Sequence, residues 1–228
     1  MVLARALNLA EIAVHNWTDV PEKLPKDCIL QIHWYREPNF QSFLRQNGFR
    51  LMVLARHPLD ILLSVLHFVR HEPMTARWLE GNCAISPELI ESSPVSVAFE
   101  RYAMSWGAEN LLSISYQWWH DPAALRIRYE DLLGDPKGKF AAIAKAFDGP
   151  PDTLELILQE TNFETFRAMP NRHGWQGRPG LWRRLIPTVT ALKIYAYHRR
   201  VFNALGYPIP LWLTTHANAK RDWERLVV

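Results

Sequence analysis

Apolar positions along this chain fall into short blocks whose period changes, and the changes mark the elements. Val2 to Ala13 places apolar side chains at helical spacing and the polar stretch His15 to Lys26, with Pro21 and Pro25, breaks it, which predicts a helix followed by a loop. Cys28 to His33, CILQIH, is short and apolar and reads as a strand. Asn39 to Asn47 reads as a short helix, and Arg50 to Ala55 as a second strand. Strand, helix and strand in that order predict a parallel βαβ unit. Pro58 to His71 is a long amphipathic helix, His71 to Pro94 carries no period, and Val95 to His120 contains a long helix. Ala124 to Tyr129, ALRIRY, alternates as a half-buried third parallel strand, with the acidic pair Glu130 and Asp131 directly after it. Asp135 as a cap and Pro136 in the first turn open another helix, whose apolar face runs through Phe140, Ile143, Ala144 and Phe147 until Gly149, Pro150 and Pro151 end it. Thr153 to Phe166 predicts a further helix, Asn171 to Gly180 a loop of Gly, Arg and Pro, and Thr188 to Leu205 a final helix. The pattern is that of one α/β domain over residues 1–228, a parallel β-sheet flanked by helices, without repeats or a low-complexity linker.

Composition narrows the partners. The 228 residues are 48% apolar, ample for a core. The balance of 26 Lys and Arg against 23 Asp and Glu leaves only +3, and the basic residues form no run of the kind that tracks nucleic acid, so a small anionic ligand is the better expectation. Cys28 and Cys83 are too few for a disulfide framework and are not spaced as metal ligands, which fits a reducing cytoplasm and a structural role. The apolar N-terminus is interrupted by Arg5 and Glu11 and falls short of the roughly 20 residues that span a bilayer, so neither membrane anchor nor secretory signal is expected. Ten tryptophans are many for this length; Trp118, Trp119, Trp175, Trp182 and Trp212 either pack the core or line a pocket for an apolar or ring-shaped acceptor. Nothing in the pattern fixes an oligomeric state.

The chemistry is concentrated in RLMVLARHPLDILLSVLHF, Arg50 to Phe68. An apolar strand ends on Arg56, Pro58 opens a helix, and Ser64 follows eight residues after the arginine, two helical turns along. Unpaired N–H groups at the helix start, its dipole, the Arg56 fork and the Ser64 hydroxyl together predict an anion site. A competing reading pairs Arg56 with Asp60 and makes Ser64 merely a small residue in a buried helix.

Strand, arginine, proline, aspartate and serine in this order resemble the 3′-phosphate-binding motif of the PAPS-dependent sulfotransferases. The resemblance extends from about Ile29 to Tyr207 and implies the P-loop NTPase-like sulfotransferase fold. It assigns Arg56 and Ser64 to the 3′-phosphate. In RYEDLLGDPKGKFAAIAKAFD, Arg128 to Asp148, Tyr129 takes the position of the family's adenine-contacting tyrosine. The strand ILQIH resembles the one ending in the family's catalytic histidine, and His33 lies 23 residues before Arg56, which makes His33 the implied base; the alternative is a satisfied histidine at a strand end. GRPGLWRR, Gly177 to Arg184, resembles the loop that closes over the 3′-phosphate: Gly177, Gly180, Trp182 and Arg183 match, while Trp175 and Gln176 stand where a basic pair is usual, so Arg172 or Arg178 would supply that charge. The implied reaction moves a sulfuryl group from PAPS to a hydroxyl or amine, with His33 taking the acceptor's proton and no metal. The acceptor would be a small molecule, a glycan or a peptide.

The family's N-terminal loop, which wraps the 5′-phosphosulfate with backbone N–H groups, has no counterpart here, and Met1 to Ala13 resembles the helix that follows it. A start placed downstream, a natural truncation and a chain beginning inside the domain all give this pattern. Two functions therefore compete: a cytoplasmic sulfotransferase, and an inactive relative that holds a 3′-phosphoadenosine nucleotide weakly or serves as a binding or structural protein. A P-loop nucleotide kinase would need a Gly-rich loop with GKS or GKT, which is absent.

Overall fold

The computed structural model describes residues 2–71, 81–149, 175–209 and 212–227. Helix α1 covers Val2–Ala6 and strand β1 covers Ala10–Val14, with Asn8 between them at φ 53°. The helix expected over Val2 to Ala13 is thus cut short. Asn tolerates the left-handed conformation that turns the chain, and AEIAV then alternates with two β-branched residues, a strand signal that the helical spacing obscured.

Strand β2, Cys28–Ile32, pairs in parallel with β1, Ala10 opposite Cys28 and Val14 opposite Ile32. Helix α2, Pro38–Gln46, turns Phe40 and Leu44 inward. Strand β3, Met52–Ala55, leads into helix α3, Pro58–His71, and pairs in parallel with β4, Leu125–Arg128, Met52 opposite Leu125 and Ala55 opposite Arg128. The protein is therefore α/β, with parallel strands flanked by helices. The expected βαβ pairing is corrected: among the described residues β2 joins β1, and β3 joins β4 rather than β2. Strand partners are chosen by tertiary packing, to which local periodicity is blind.

Val95 to His120 contains the expected long helix, α5 at Trp106–Trp119, preceded by a shorter one, α4 at Val97–Ala103; Ser105 separates them, capping α5 by accepting from the Ala108 N–H at 3.4 Å. Short helix α6, Tyr129–Gly134, follows β4, and α7, Pro136–Ala146, starts as expected on Asp135, which accepts from the Gly138 N–H at 3.0 Å. Helix α8 is Trp182–Leu185. The expected final helix divides at His198 into α9, Thr188–Tyr197, and α10, Arg199–Leu205. A last helix, α11 at His216–Val227, follows without having been anticipated. Residues 82–94 are turns and irregular chain with a 3-10 turn at Pro87–Leu89, as the missing period implied, while residues 72–80 lie outside the described residues. The expectations for Thr153 to Phe166, Pro150, Pro151, Arg172 and the first part of the Asn171 to Gly180 loop lie outside the described residues.

Two apolar clusters form the core. The larger joins Leu59, Leu62 and Leu66 of α3 to Phe99, Leu112, Trp182, Leu185 and Phe202. The smaller joins Trp34, Phe40, Leu44, Val53, Cys83, Ile114 and Trp118. Helix α5 links them, since Leu111 and Trp119 pack against both. Trp118 and Trp182 are thus core residues, Trp118 also bordering a cavity beside Arg36 and Arg50, and both cysteines are free thiols. No helix among the described residues is long and apolar enough to cross a membrane.

Gly107, in the first turn of α5, sits against the Cys83 carbonyl, so an added Cβ would collide with backbone. Gly107→Ala is expected to cost about 2 kcal/mol in denaturant unfolding, whereas Gly134→Ala, with open space around it, stays within about 0.5 kcal/mol.

Candidate functional site

The site grows from the turn between β3 and α3. His57 caps the helix: its carbonyl accepts from the N–H groups of Asp60 at 2.9 Å and Ile61 at 3.1 Å, and its Nδ1 accepts from the Leu59 N–H at 3.3 Å. Pro58 has no N–H, and Pro58, Leu59 and Asp60 are buried. The first N–H groups of α3 are therefore consumed within the chain, which corrects the expectation that an anion would lie on them. Anion-binding capacity rests on side chains.

Arg56 supplies it. Its Nη1 donates to Ser64 Oγ at 2.9 Å, its guanidinium lies 5.0 Å above the centre of the Tyr129 ring, and its Nε is buried with no partner among the described residues. Ser64 Oγ donates in turn to the Asp60 carbonyl at 3.0 Å. Asp60 does not pair with Arg56. Its carboxylate accepts from the backbone N–H of Gly180 at 2.6 Å and of Trp182 at 3.1 Å. Burial raises the Asp60 pKa, opposed by those two N–H groups and by the charge of Arg56.

Tyr129 opens α6 directly after β4, and its hydroxyl donates to the Gly177 carbonyl at 3.4 Å; burial raises its pKa and Arg56 opposes the rise. Gly177 and Gly180 stand at φ 60° and 78°, left-handed values that favour glycine. The Arg183 guanidinium lies 5.0 Å over the Trp182 ring, and a Cβ on Gly180 would come to 3.3 Å of its Nη1, so Arg183 borders the loop. Arg56, Ser64, Tyr129, Gly177, Gly180 and Arg183 are thus brought together from three stretches of the chain. Arg178 is exposed and makes no hydrogen bond or ion pair among the described residues. Trp175, where a basic residue was looked for, stacks on His67 at 5.2 Å.

His33 follows β2, in the other strand pair. The residue as a whole is exposed, and its pKa is lowered by desolvation of the ring first and by the charge of His15 second.

Three further residues organise the site. His57 is buried, stacked 4.6 Å from Trp182 at 17°, with Phe202 and Tyr207 edge-on to its ring. Glu130 accepts from the His57 N–H at 2.9 Å and from the Tyr207 hydroxyl at 2.6 Å, tying β4, the β3–α3 turn and the C-terminal part together. Asp60 holds the glycine loop. The sequence signal for Asp60 was a carboxylate in an otherwise apolar helix and for Glu130 one half of the acidic pair after β4, and each reads equally well as a first-turn acid or a solvated one.

Burial, then the charges of Arg183 and Arg56, bring the His57 pKa down from 6.5 to about 3. In the unfolded chain the imidazole protonates near 6.5, so between those values the unfolded state binds a proton that the native state does not. The His57 contribution to stability is full above pH 6.5 and falls as the pH drops towards 3. The melting temperature is expected to fall between pH 6.5 and about 4, with a shallower fall in His57→Asn; buried His198, whose pKa is also lowered, leaves part of the slope. An unchanged slope in the variant would contradict this assignment.

Comparison with known proteins places the site in context. The sulfotransferase domain family matches residues 15–174. No curated protein matches the sequence. Among solved structures, retinol dehydratase in complex with androsterone and the inactive cofactor PAP has a TM-score of 0.51 and 17% identity, over 85% of this chain and 57% of that one. This chain therefore spans little more than half the length of that protein, and at such identity the likeness speaks for fold. The family match covers most of the residues that build the site, and the chain belongs to the sulfotransferase domain family.

Proposed function

We propose that this protein transfers a sulfuryl group from PAPS to a hydroxyl or amine of a small-molecule, glycan or peptide acceptor. The observation that carries the reading is the convergence of the Arg56–Ser64 pair, Tyr129 and the Gly177–Gly180 loop, three stretches far apart in sequence. The residues present fit the donor. Arg56 keeps one buried N–H donor without a partner and has no carboxylate neighbour in an ion pair among the described residues, so it can meet a phosphate at little cost in existing bonds. Arg56 and Ser64 would hold the 3′-phosphate and Tyr129 the adenine, with Gly177, Gly180, Arg178 and Arg183 closing around them. PAPS supplies the sulfuryl group when bound, and His33 takes the proton from the attacking acceptor. The PAP and androsterone bound by the structurally similar retinol dehydratase support a nucleotide donor and a small-molecule acceptor.

A second reading, a protein that holds a 3′-phosphoadenosine nucleotide without turning it over, is favoured by one observation: β2, which leads to His33, is not paired with β3, which leads to Arg56.

Calorimetric titration with adenosine 3′,5′-bisphosphate separates these readings from no nucleotide function at all. Arg56→Ala is expected to weaken binding roughly a hundredfold and Ser64→Ala roughly tenfold. Sulfuryl transfer from PAPS across a panel of hydroxyl and amine acceptors then divides enzyme from silent binder. In the enzyme, His33→Asn lowers kcat by a factor on the order of a hundred or more while bisphosphate affinity holds. No binding by the folded wild-type chain would overturn both readings.

A further inference from the structure

We infer that Asp60 is the positioning residue that seats the glycine loop on the anion site, and this rests on the nucleotide reading above. Asp60 is 1% exposed, and a carboxylate buried so deeply is tolerated only where its oxygens are hydrogen-bonded. Its two oxygens are used on backbone N–H groups 120 and 122 residues along the chain, those of Gly180 and Trp182. Its own carbonyl accepts from Ser64 Oγ, which accepts from Arg56. One residue thus sets both halves of the pocket: its backbone orients the serine of the phosphate site, and its side chain fixes the loop on the other side. Tyr129 gives the loop a second hold at the Gly177 carbonyl, next to the same guanidinium. Bordered by two side-chain anchors, the loop is registered against Arg56 before any ligand arrives, which lowers the ordering cost of binding.

The sign of the Asp60→Asn effect separates positioning from simple charge. A carboxylate near an anion site repels the anion, so if Asp60 acted only through its charge, Asn would tighten nucleotide binding. If it positions the loop, Asn leaves one backbone N–H facing an amide donor, the loop loosens and binding weakens.

The test titrates wild type and Asp60→Asn with adenosine 3′,5′-bisphosphate and with adenosine 5′-phosphate, alongside amide hydrogen exchange of the unliganded chains. The expectation is a loss of about tenfold to a hundredfold for the bisphosphate and a smaller loss for the 5′-phosphate, because the seated loop closes on the 3′ group. Gly180 and Trp182 amides are expected to exchange slowly in wild type and rapidly in the variant. Equal or tighter bisphosphate binding by Asp60→Asn, or equal losses for the two nucleotides, would overturn the inference. So would fast exchange at Gly180 and Trp182 in wild type, a measurement that decides the matter even if the variant fails to fold. Slow exchange that depends on Asp60 in a wild-type chain that binds no bisphosphate would support the seating of the loop and overturn the nucleotide reading instead.

Discussion

The turn from β3 into α3 buries an imidazole and a carboxylate in an apolar core, and the need to pair them fixes much of what surrounds it. His57 satisfies the start of α3 with its own carbonyl and ring nitrogen. Its N–H requires Glu130, which brings the end of β4 alongside and recruits Tyr207. Asp60 requires two N–H donors, and the loop before α8 supplies them. Segments remote in sequence meet here because an unpaired polar group would cost more than ordering them, on the order of 1–3 kcal/mol for each group left unsatisfied.

Among the described arginines, Arg56 is the one with a buried guanidinium N–H that has no partner. At the opposite end of β3 and β4, a cavity of about 430 Å³ is lined by Arg36, Arg45 and Arg50 among others. Arg36 is paired with Asp121 at 3.1 Å and Arg50 with Asp148 at 2.6 Å. Arg36 and Arg50 are thus committed to ion pairs, and Arg45 is bonded only within its own helix, to the Gln41 carbonyl and Ser42 Oγ. Arg56 is tied only to a hydroxyl and an aromatic face and retains a buried donor, the state expected of a group kept for an incoming anion.

Much of this was legible in the residues, and the limits are instructive. Helix α3 matches the expected Pro58 to His71, because a proline start and an apolar stripe of helical period are local signals. Spacing linked Arg56 to Ser64, and the resemblance to the sulfotransferases added Tyr129 and the two glycines. The use of the α3 N–H groups did not, because histidine is an uncommon cap and its Nδ1 gives no sequence signature. Strand β1 was hidden by a helical apolar spacing that Asn8 interrupts, and the pairing of β3 with β4 depends on contacts across some 70 residues. Asp60 was visible as a residue but not as the anchor of the glycine loop, since nothing local links positions 60 and 180.

On the proposed function, the Arg56–Ser64–Tyr129 cluster receives the 3′-phosphate and adenine of a nucleotide. A crystal structure of the chain with adenosine 3′,5′-bisphosphate tests it most directly. The expected result is the 3′-phosphate within hydrogen-bond distance of Arg56 and Ser64 Oγ, with the adenine beside Tyr129 and the Gly177–Gly180 loop over it. Bisphosphate density among Arg36, Arg45 and Arg50 at the other end of the strands, with the Arg56 cluster unchanged, would contradict it.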